Sequence, residues 1–267
     1  MMELVLHTLA GALVGFAIGI TGVGGGSLMT PILLMFGYPA SVAIGTDLLY
    51  ASITKAGGAL SHHQSGNVNW SIVRLLAFGS VPTAILVHAV MIQTAFQDTP
   101  KFEQLLTFSL GIMLIITAII LILRNKMREK AAENRPPALM HFIQRRRSEL
   151  TFLMGIVLGV CVTLSSVGAG AFAAAILLTM YSQAKTVQIV GSDIAHAVPL
   201  TFIAGLGYLL AGHVDLMLLL SLLIGSLPAI ALGSRLSNRL PEQVLQGLLT
   251  VILLGLGLYY TLTSKIH

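Results

Sequence analysis

Two aspartates stand where a charge is hardest to keep. Asp47 lies in Gly45-Thr46-Asp47-Leu48 and Asp193 in Gly191-Ser192-Asp193-Ile194, each well inside a long apolar run. A carboxylate at membrane depth is costly, and by default it marks a proton relay, an ion site or a buried pair. The competing reading is a structural carboxylate that caps the freed N–H groups of a broken helix. Tyr50 and His196 each follow an aspartate by three residues, on the same helical face. A histidine there can exchange a proton near neutral pH, or it can serve as a hydrogen-bonded core residue. Asp47, Asp193 and His196 are therefore the candidates for a coupling ion, either a proton or sodium.

A second chemistry sits upstream of each aspartate. The run Thr21-Gly22-Val23-Gly24-Gly25-Gly26-Ser27 places four glycines in five positions at the end of an apolar stretch. Glycine costs about 1 kcal/mol against alanine in a helix interior, so the helix should break there. Ser165-Ser166-Val167-Gly168-Ala169-Gly170 stands in the corresponding place later in the chain. A helix broken at mid-membrane depth frees backbone N–H groups, which are tolerated only against protein, water or ligand. Glycines let an anion approach those donors, and the start of the next half-helix adds positive dipole character. The favoured ligand is a small oxyanion. Its candidate contacts are Thr21, Gly22, Gly24, Gly25, Gly26 and Ser27 in the first break, and Ser165, Ser166, Gly168 and Gly170 in the second. Thr46 and Ser192 add hydroxyls beside the aspartates. The plainer alternative is that the glycines serve only close helix packing. Lys55, inside an apolar segment, is a candidate anion-binding cation or a side chain that snorkels to the interface.

A dianion beside two ionised carboxylates in low dielectric would be repelled. Protonation of one aspartate, or a sodium ion between carboxylate and freed carbonyls, would neutralise the site and link ion to substrate. Other chemistries find little support. His62-His63 are adjacent and do not share a helical face, so surface histidines at a helix end are expected rather than a metal pair. No P-loop, nucleophile elbow or zinc-protease motif is present, and no cofactor is expected.

The elements that must position these residues are membrane helices. The chain of 267 residues is 55% hydrophobic and only 9% charged, where a soluble globule carries about a quarter charged residues. Eight basic and three acidic residues lie between Arg124 and Glu149, against seven of each in all the rest. The net charge of +5 thus reports one loop and gives no reason to expect nucleic acid. One cysteine, Cys161, permits no intrachain disulfide. Met1-Met2-Glu3 lacks a basic start, so the first hydrophobic segment is expected to be retained.

The chain also repeats. Shifted by 146 positions, Gly22 falls on Gly168, Gly24 on Gly170, Gly45 on Gly191 and Asp47 on Asp193. The register runs on through Gly66/Gly212, Val68/Val214, Gly79/Gly225, Ser80/Ser226 and Pro82/Pro228, which marks an internal duplication. In each half we expect five apolar segments, the second of them short. In the first these are Leu4–Ile20, Ser27–Phe36, Ala40–Gln64, Ser71–Ile92 and Phe102–Leu123. In the second they are Leu150–Ser166, Phe172–Met180, Lys185–Ala211, Leu216–Leu232 and Val244–Leu262. Gly11, Gly15 and Gly19, four apart, suit close helix packing. The plan is an all-α polytopic membrane protein: repeat 1–123, basic cytoplasmic linker 124–149, repeat 150–267. Lysine and arginine put Arg74, Lys185 and the Arg235/Arg239 loop on the linker's side, with Asp98/Lys101 and His213/Asp215 outside. The odd count per half makes the repeats inverted, as in many secondary transporters. Re-entrant short segments would instead put Arg235 and Arg239 outside.

Gly22-Val23-Gly24-Gly25-Gly26-Ser27-Leu28 with Pro31, followed by Gly45-Thr46-Asp47-Leu48-Leu49-Tyr50, resembles the TauE/SafE sulfite exporter family. The similarity extends through Gly66-Asn67-Val68-Asn69-Trp70, Gly79-Ser80-Val81-Pro82, Val190-Gly191-Ser192-Asp193-Ile194 and Gly212-His213-Val214-Asp215, nearly the whole chain. The resemblance implies an ion-coupled permease for sulfite, thiosulfate or an organosulfonate in a bacterial inner membrane, compatible with a homodimer. The second break departs from the first: Ala169, Ala171 and Phe172 replace Val23, Gly25 and Gly26. Two alternatives belong to other classes. An embedded enzyme of sulfur or lipid metabolism would need a nucleophile–base pair or metal cluster, and none stands out. A scaffold subunit would have no use for duplicated intramembrane aspartates.

Overall fold

In a computed structural model, residues 2–21, 28–93, 99–133, 145–168, 170–181, 183–236 and 242–263 are described. At 2, 3, 21, 124–133, 171, 235, 236, 242–246, 248 and 249 only the backbone is described. Among the described residues there are ten helices and no strand. The first half supplies α1 (Met2–Thr21), α2 (Met29–Met35), α3 (Ala40–Gln64), α4 (Trp70–Gln93) and α5 (Pro100–Glu133). The second supplies α6 (Arg147–Ser165), α7 (Ala171–Met180), α8 (Thr186–Leu210), α9 (Leu216–Leu236) and α10 (Glu242–Thr263). Five of them are long and apolar enough to cross a membrane over Trp70–Gln93, Pro100–Leu123, Arg147–Ser165, Thr186–Leu210 and Leu216–Ser234. The protein is a multi-pass membrane protein.

Segment boundaries follow the apolar runs within a few residues, with one difference. α5 continues to Glu133, ten residues beyond the last apolar position. Its tail, Arg124 to Glu133, is rich in lysine, arginine, glutamate and alanine, all good helix formers, so leaving the apolar layer does not end the helix. Of the basic linker, residues 134–144 lie outside the described part.

The halves interlock rather than sit side by side. α1 packs on α9, α4 on α6, α3 on α8 and α5 on α10. Glycines make these seams. A Cβ on Gly11 would lie 2.3 Å from the Leu222 carbonyl, and one on Gly15 would lie 2.6 Å from Ser226 backbone. Their counterparts repeat the contact: Gly155 against the Leu76 carbonyl at 2.4 Å and Gly159 against that of Ser80 at 2.6 Å. Here the offset is 144 for α6 against α1 and still 146 for α9 against α4. A two-residue difference between the halves is thus absorbed before the aspartate helices.

α3 and α8 cross antiparallel at the centre. Gly45 meets Tyr208 and His213, and Gly191 meets their equivalents His62 and Asn67. Between these, Ser52 Oγ donates to the carbonyl of Val198, its own counterpart, at 3.3 Å. α5 and α10 also run antiparallel, with Gly111 and Gly257 in mutual contact. The turns into α4 and α9 are built alike: Asn69 Oδ1 accepts from the N–H groups of Ser71 and Ile72, and Asp215 Oδ1 from those of Met217 and Leu218. Both are N-caps.

Contacts also sort the chain ends. At one end of the bundle Phe36 and Tyr38 return to His7 at the start of α1. There the Ser41 N–H donates to Glu103, and Phe102 stacks near His213. At the other end Arg147 lies over the Tyr181 ring, and the Thr151 and Tyr181 hydroxyls bond at 2.9 Å. The turn before α4 joins them, its Asn69 N–H donating to Ser192. Each short helix therefore brings the chain back to the end from which the preceding long helix set out.

Candidate functional site

The two aspartates lie inside the crossing helices, Asp47 on α3 and Asp193 on α8, at 0% and 2% exposure. Thr30, in the first turn of α2, donates its hydroxyl to Asp47 Oδ2. Ser166, where α6 breaks, stands close to the same carboxylate without a hydrogen bond of good geometry. Asp47 thus joins its own helix to both interrupted units. Its Oδ1, and Oδ1 of Asp193, are buried without a hydrogen-bond partner.

Lys55, two turns beyond Asp47 on α3, is 7% exposed. It acts electrostatically on Asp47, Asp193 and His196 together. Its side chain lies inside the bundle. Tyr50 and His196 are fully buried. His196 Nε2 is 2.8 Å from Ser80 Oγ on α4, and its Nδ1 has no partner. The counterpart of that pair is Tyr50 with Ser226 on α9, which face each other without a well-formed bond. Buried polar atoms are nearly always satisfied. Asp47, Tyr50, Ser166, Asp193 and His196 each keep a buried polar atom without a partner, and Lys55 lies within electrostatic reach of Asp47, Asp193 and His196.

The second break has the geometry its composition suggests. α6 stops at Ser165, Ser166 is left-handed at φ 57°, and Gly168 and Gly170 stand at φ 126° and 143° before α7 begins. Side chains other than glycine rarely adopt the last two angles. Ser165 turns away from the centre: its Oγ donates to the Cys161 carbonyl at 2.6 Å and contacts Val167. Of the first break, Gly22, Gly24, Gly25, Gly26 and Ser27 lie outside the described residues, and of Thr21 only the helical backbone is described.

Thr46 and Ser192 use their hydroxyls in a matched pair of bonds. Thr46 Oγ1 accepts the Asp215 N–H at 3.3 Å, and Ser192 Oγ accepts the Asn69 N–H at 2.8 Å while donating to the Gln188 carbonyl. They clamp the following turns to the aspartate helices. His62 packs on Gly191 and His63 meets Trp70 edge-on. Among the described residues no three His, Cys, Asp or Glu side chains converge as metal ligands.

A family model described as Sulfite exporter TauE/SafE matches residues 7–260. The chain belongs to the TauE/SafE sulfite exporter family. A probable membrane transporter protein of Bacillus subtilis, YjnA, is 39% identical over 251 residues, covering 94% of this chain and 96% of the relative. YdhB of the same organism is 27% identical over 251 residues, and MJ0441 of Methanocaldococcus jannaschii 28% over 272, both also probable membrane transporter proteins. YdhB covers 93% of this chain and 97% of its own length, and MJ0441 94% of each. No solved structure matches the chain. This TauE/SafE protein is a membrane transporter.

Residues whose role the sequence left hidden are Thr30, Ser80 and Ser226. Thr30 is an ordinary apolar-segment threonine until α2 folds against α3. The serines carried a signal, the repeated Gly-Ser-x-Pro of Gly79–Pro82 and Gly225–Pro228, but not the identity of their partners.

Proposed function

We propose that this TauE/SafE protein is a secondary transporter of a small sulfur oxyanion, with sulfite, thiosulfate and organosulfonates as the substrate class. It acts in a bacterial inner membrane and is coupled to a proton or sodium gradient. Substrate binds between the halves near mid-membrane, with Lys55 as its cation and the N–H groups of the breaks at Gly22–Ser27 and Ser165–Gly170 as further donors. Asp47 and Asp193 carry the coupling ion, with His196 beside Asp193. The observation that carries this reading is the burial of two equivalent carboxylates around one lysine, amid polar atoms without partners. A structural ion pair would be expected to have its valences filled.

The halves are read as inverted repeats, 1–123 and 150–267, joined by a cytoplasmic linker. Antiparallel packing of equivalent helices, α3 on α8 and α5 on α10, supports this, because an axis in the membrane plane reverses helix direction and one along the normal preserves it. The grouping of Arg74, Arg147 and Lys185 towards one end, and of Lys101 and His213 towards the other, agrees with positive residues on the cytoplasmic side.

The test is tracer influx. Proteoliposomes with labelled sulfite outside should accumulate label when an inward proton or sodium gradient is imposed, and excess unlabelled sulfite should release it. Label that enters no faster than in empty liposomes, with thiosulfate and taurine equally inert, would remove sulfur oxyanions as substrates.

A further inference from the structure

Duplication gives the centre two half-sites, and their third residues differ. Asp47 is followed on its helical face by Tyr50, and Asp193 by His196. Each of these faces a serine in the same Gly-Ser-x-Pro motif, Ser226 and Ser80. Both serines are at 0% exposure, and each sits where three helices meet: Ser80 on α4 lies against Gly159 of α6 and His196 of α8. The glycine contact packs the Ser80 backbone closely on α6. The Ser80 hydroxyl is placed to hold one ring nitrogen of His196, as donor or as acceptor.

Resting on the transport reading above, we propose that Ser80 is a positioning residue which locks His196 with Nδ1 toward the polar centre, making Asp193 rather than Asp47 the carboxylate that exchanges the coupling proton. The geometry separates the half-sites on three counts. First, the Ser80–His196 bond is formed at 2.8 Å, whereas Tyr50 and Ser226 make no well-formed bond. Second, Nδ1 of His196 and Oδ1 of Asp193 are both buried without partners, one helical turn apart on one face. A proton leaving the Asp193 carboxyl can pass to Nδ1, directly or through bound substrate, and be returned there. The phenol of Tyr50 cannot take up a second proton in this way. Third, Asp47 Oδ2 already accepts the Thr30 hydroxyl, which ties that carboxylate to the junction between α2 and α3.

The groups around His196 are few enough to name. Its own helix brings Asp193, α3 brings Lys55 with Asp47 and Tyr50 nearby, and α4 brings Ser80 with His88 two turns on. From α6 and α7 the titratable Arg147, Glu149 and Tyr181 lie at the end of the bundle, and Cys161 packs in the apolar layer around Leu110. Lys55 is the cation that would sense a proton on the imidazole.

Four measurements on the full-length protein test this. In Ser80→Ala, sulfite affinity in detergent should stay within about twofold. The pH profile of sulfite-driven proton uptake should shift by one unit or more, and coupled uptake should fall at least tenfold. Ser80→Thr, which restores the hydroxyl, should recover both. Ser226→Ala should keep the wild-type profile. Nitrogen NMR of labelled protein gives an answer that needs no transport: the His196 Nε2 resonance should report a hydrogen bond that is lost in Ser80→Ala. A wild-type pH profile in Ser80→Ala, an equal shift in Ser226→Ala, or a His196 Nε2 resonance that is unchanged in Ser80→Ala would each overturn the proposal. Wild-type vesicles that move no sulfite would instead sink the transport reading, leaving the NMR result to stand by itself.

Discussion

Replacing Lys55 by methionine removes a cation while keeping most of the stem's volume. If the ammonium group holds the oxyanion, sulfite affinity should drop at least tenfold, about 1.4 kcal/mol. Titration calorimetry on the purified variant reads this directly, and unchanged affinity would assign Lys55 to the aspartates alone. Thr46→Val asks about the clamp instead. It removes the acceptor for the Asp215 N–H, so it should lower thermal stability in detergent by about 1 kcal/mol and leave sulfite affinity within twofold. At this scale the sequence exposed the aspartates, because a carboxylate in an apolar run has no bland explanation. Their partners stayed hidden: Thr30 is 17 positions from Asp47, and Ser80 is 116 from His196. No local pattern spans such distances.

Several helix seams close to backbone contact at glycines, and glycine substitutions should divide accordingly. A Cβ on Gly79 would sit 2.4 Å from the Phe152 carbonyl, whereas one on Gly57 meets nothing within 4 Å. Gly79→Val should therefore cost about 1–3 kcal/mol through overpacking of α4 on α6. Gly57→Ala should be neutral or gain up to about 1 kcal/mol in helix propensity. Thermal unfolding followed by circular dichroism in detergent distinguishes them; equal melting temperatures would mean the α4–α6 seam is not close-packed in the membrane. Segment number, the two short helices and the second break could all be read from hydropathy and glycine placement. The helical extension of α5 could not, since its basic residues resemble a linker by charge while favouring helix by propensity.

For the whole molecule, inversion predicts which surfaces share a compartment. Single cysteines placed at Trp70 and Lys185 should react with a membrane-impermeant maleimide only from the cytoplasmic side, and those at Lys101 and Gly212 only from outside. Labelling of Lys185 and Lys101 from the same side would make the halves parallel. The repeat was visible as a register of 146, but its spatial meaning was not. Only the packed helices bring Ser52 to Val198 and Gly111 to Gly257, each residue against its own counterpart.

Coupled movement of a sulfur oxyanion is the central claim, and one recording addresses it. Proteoliposomes holding a pH-sensitive dye, with no imposed gradient and sodium absent, receive a pulse of sulfite outside; liposomes without protein report the passive leak. Wild-type protein should change the internal pH within seconds and well above that leak, while Asp193→Asn should admit labelled sulfite without moving protons. A dye trace that matches empty liposomes, and stays so when sodium is restored and its flux is followed, would contradict ion-coupled sulfite transport by this protein.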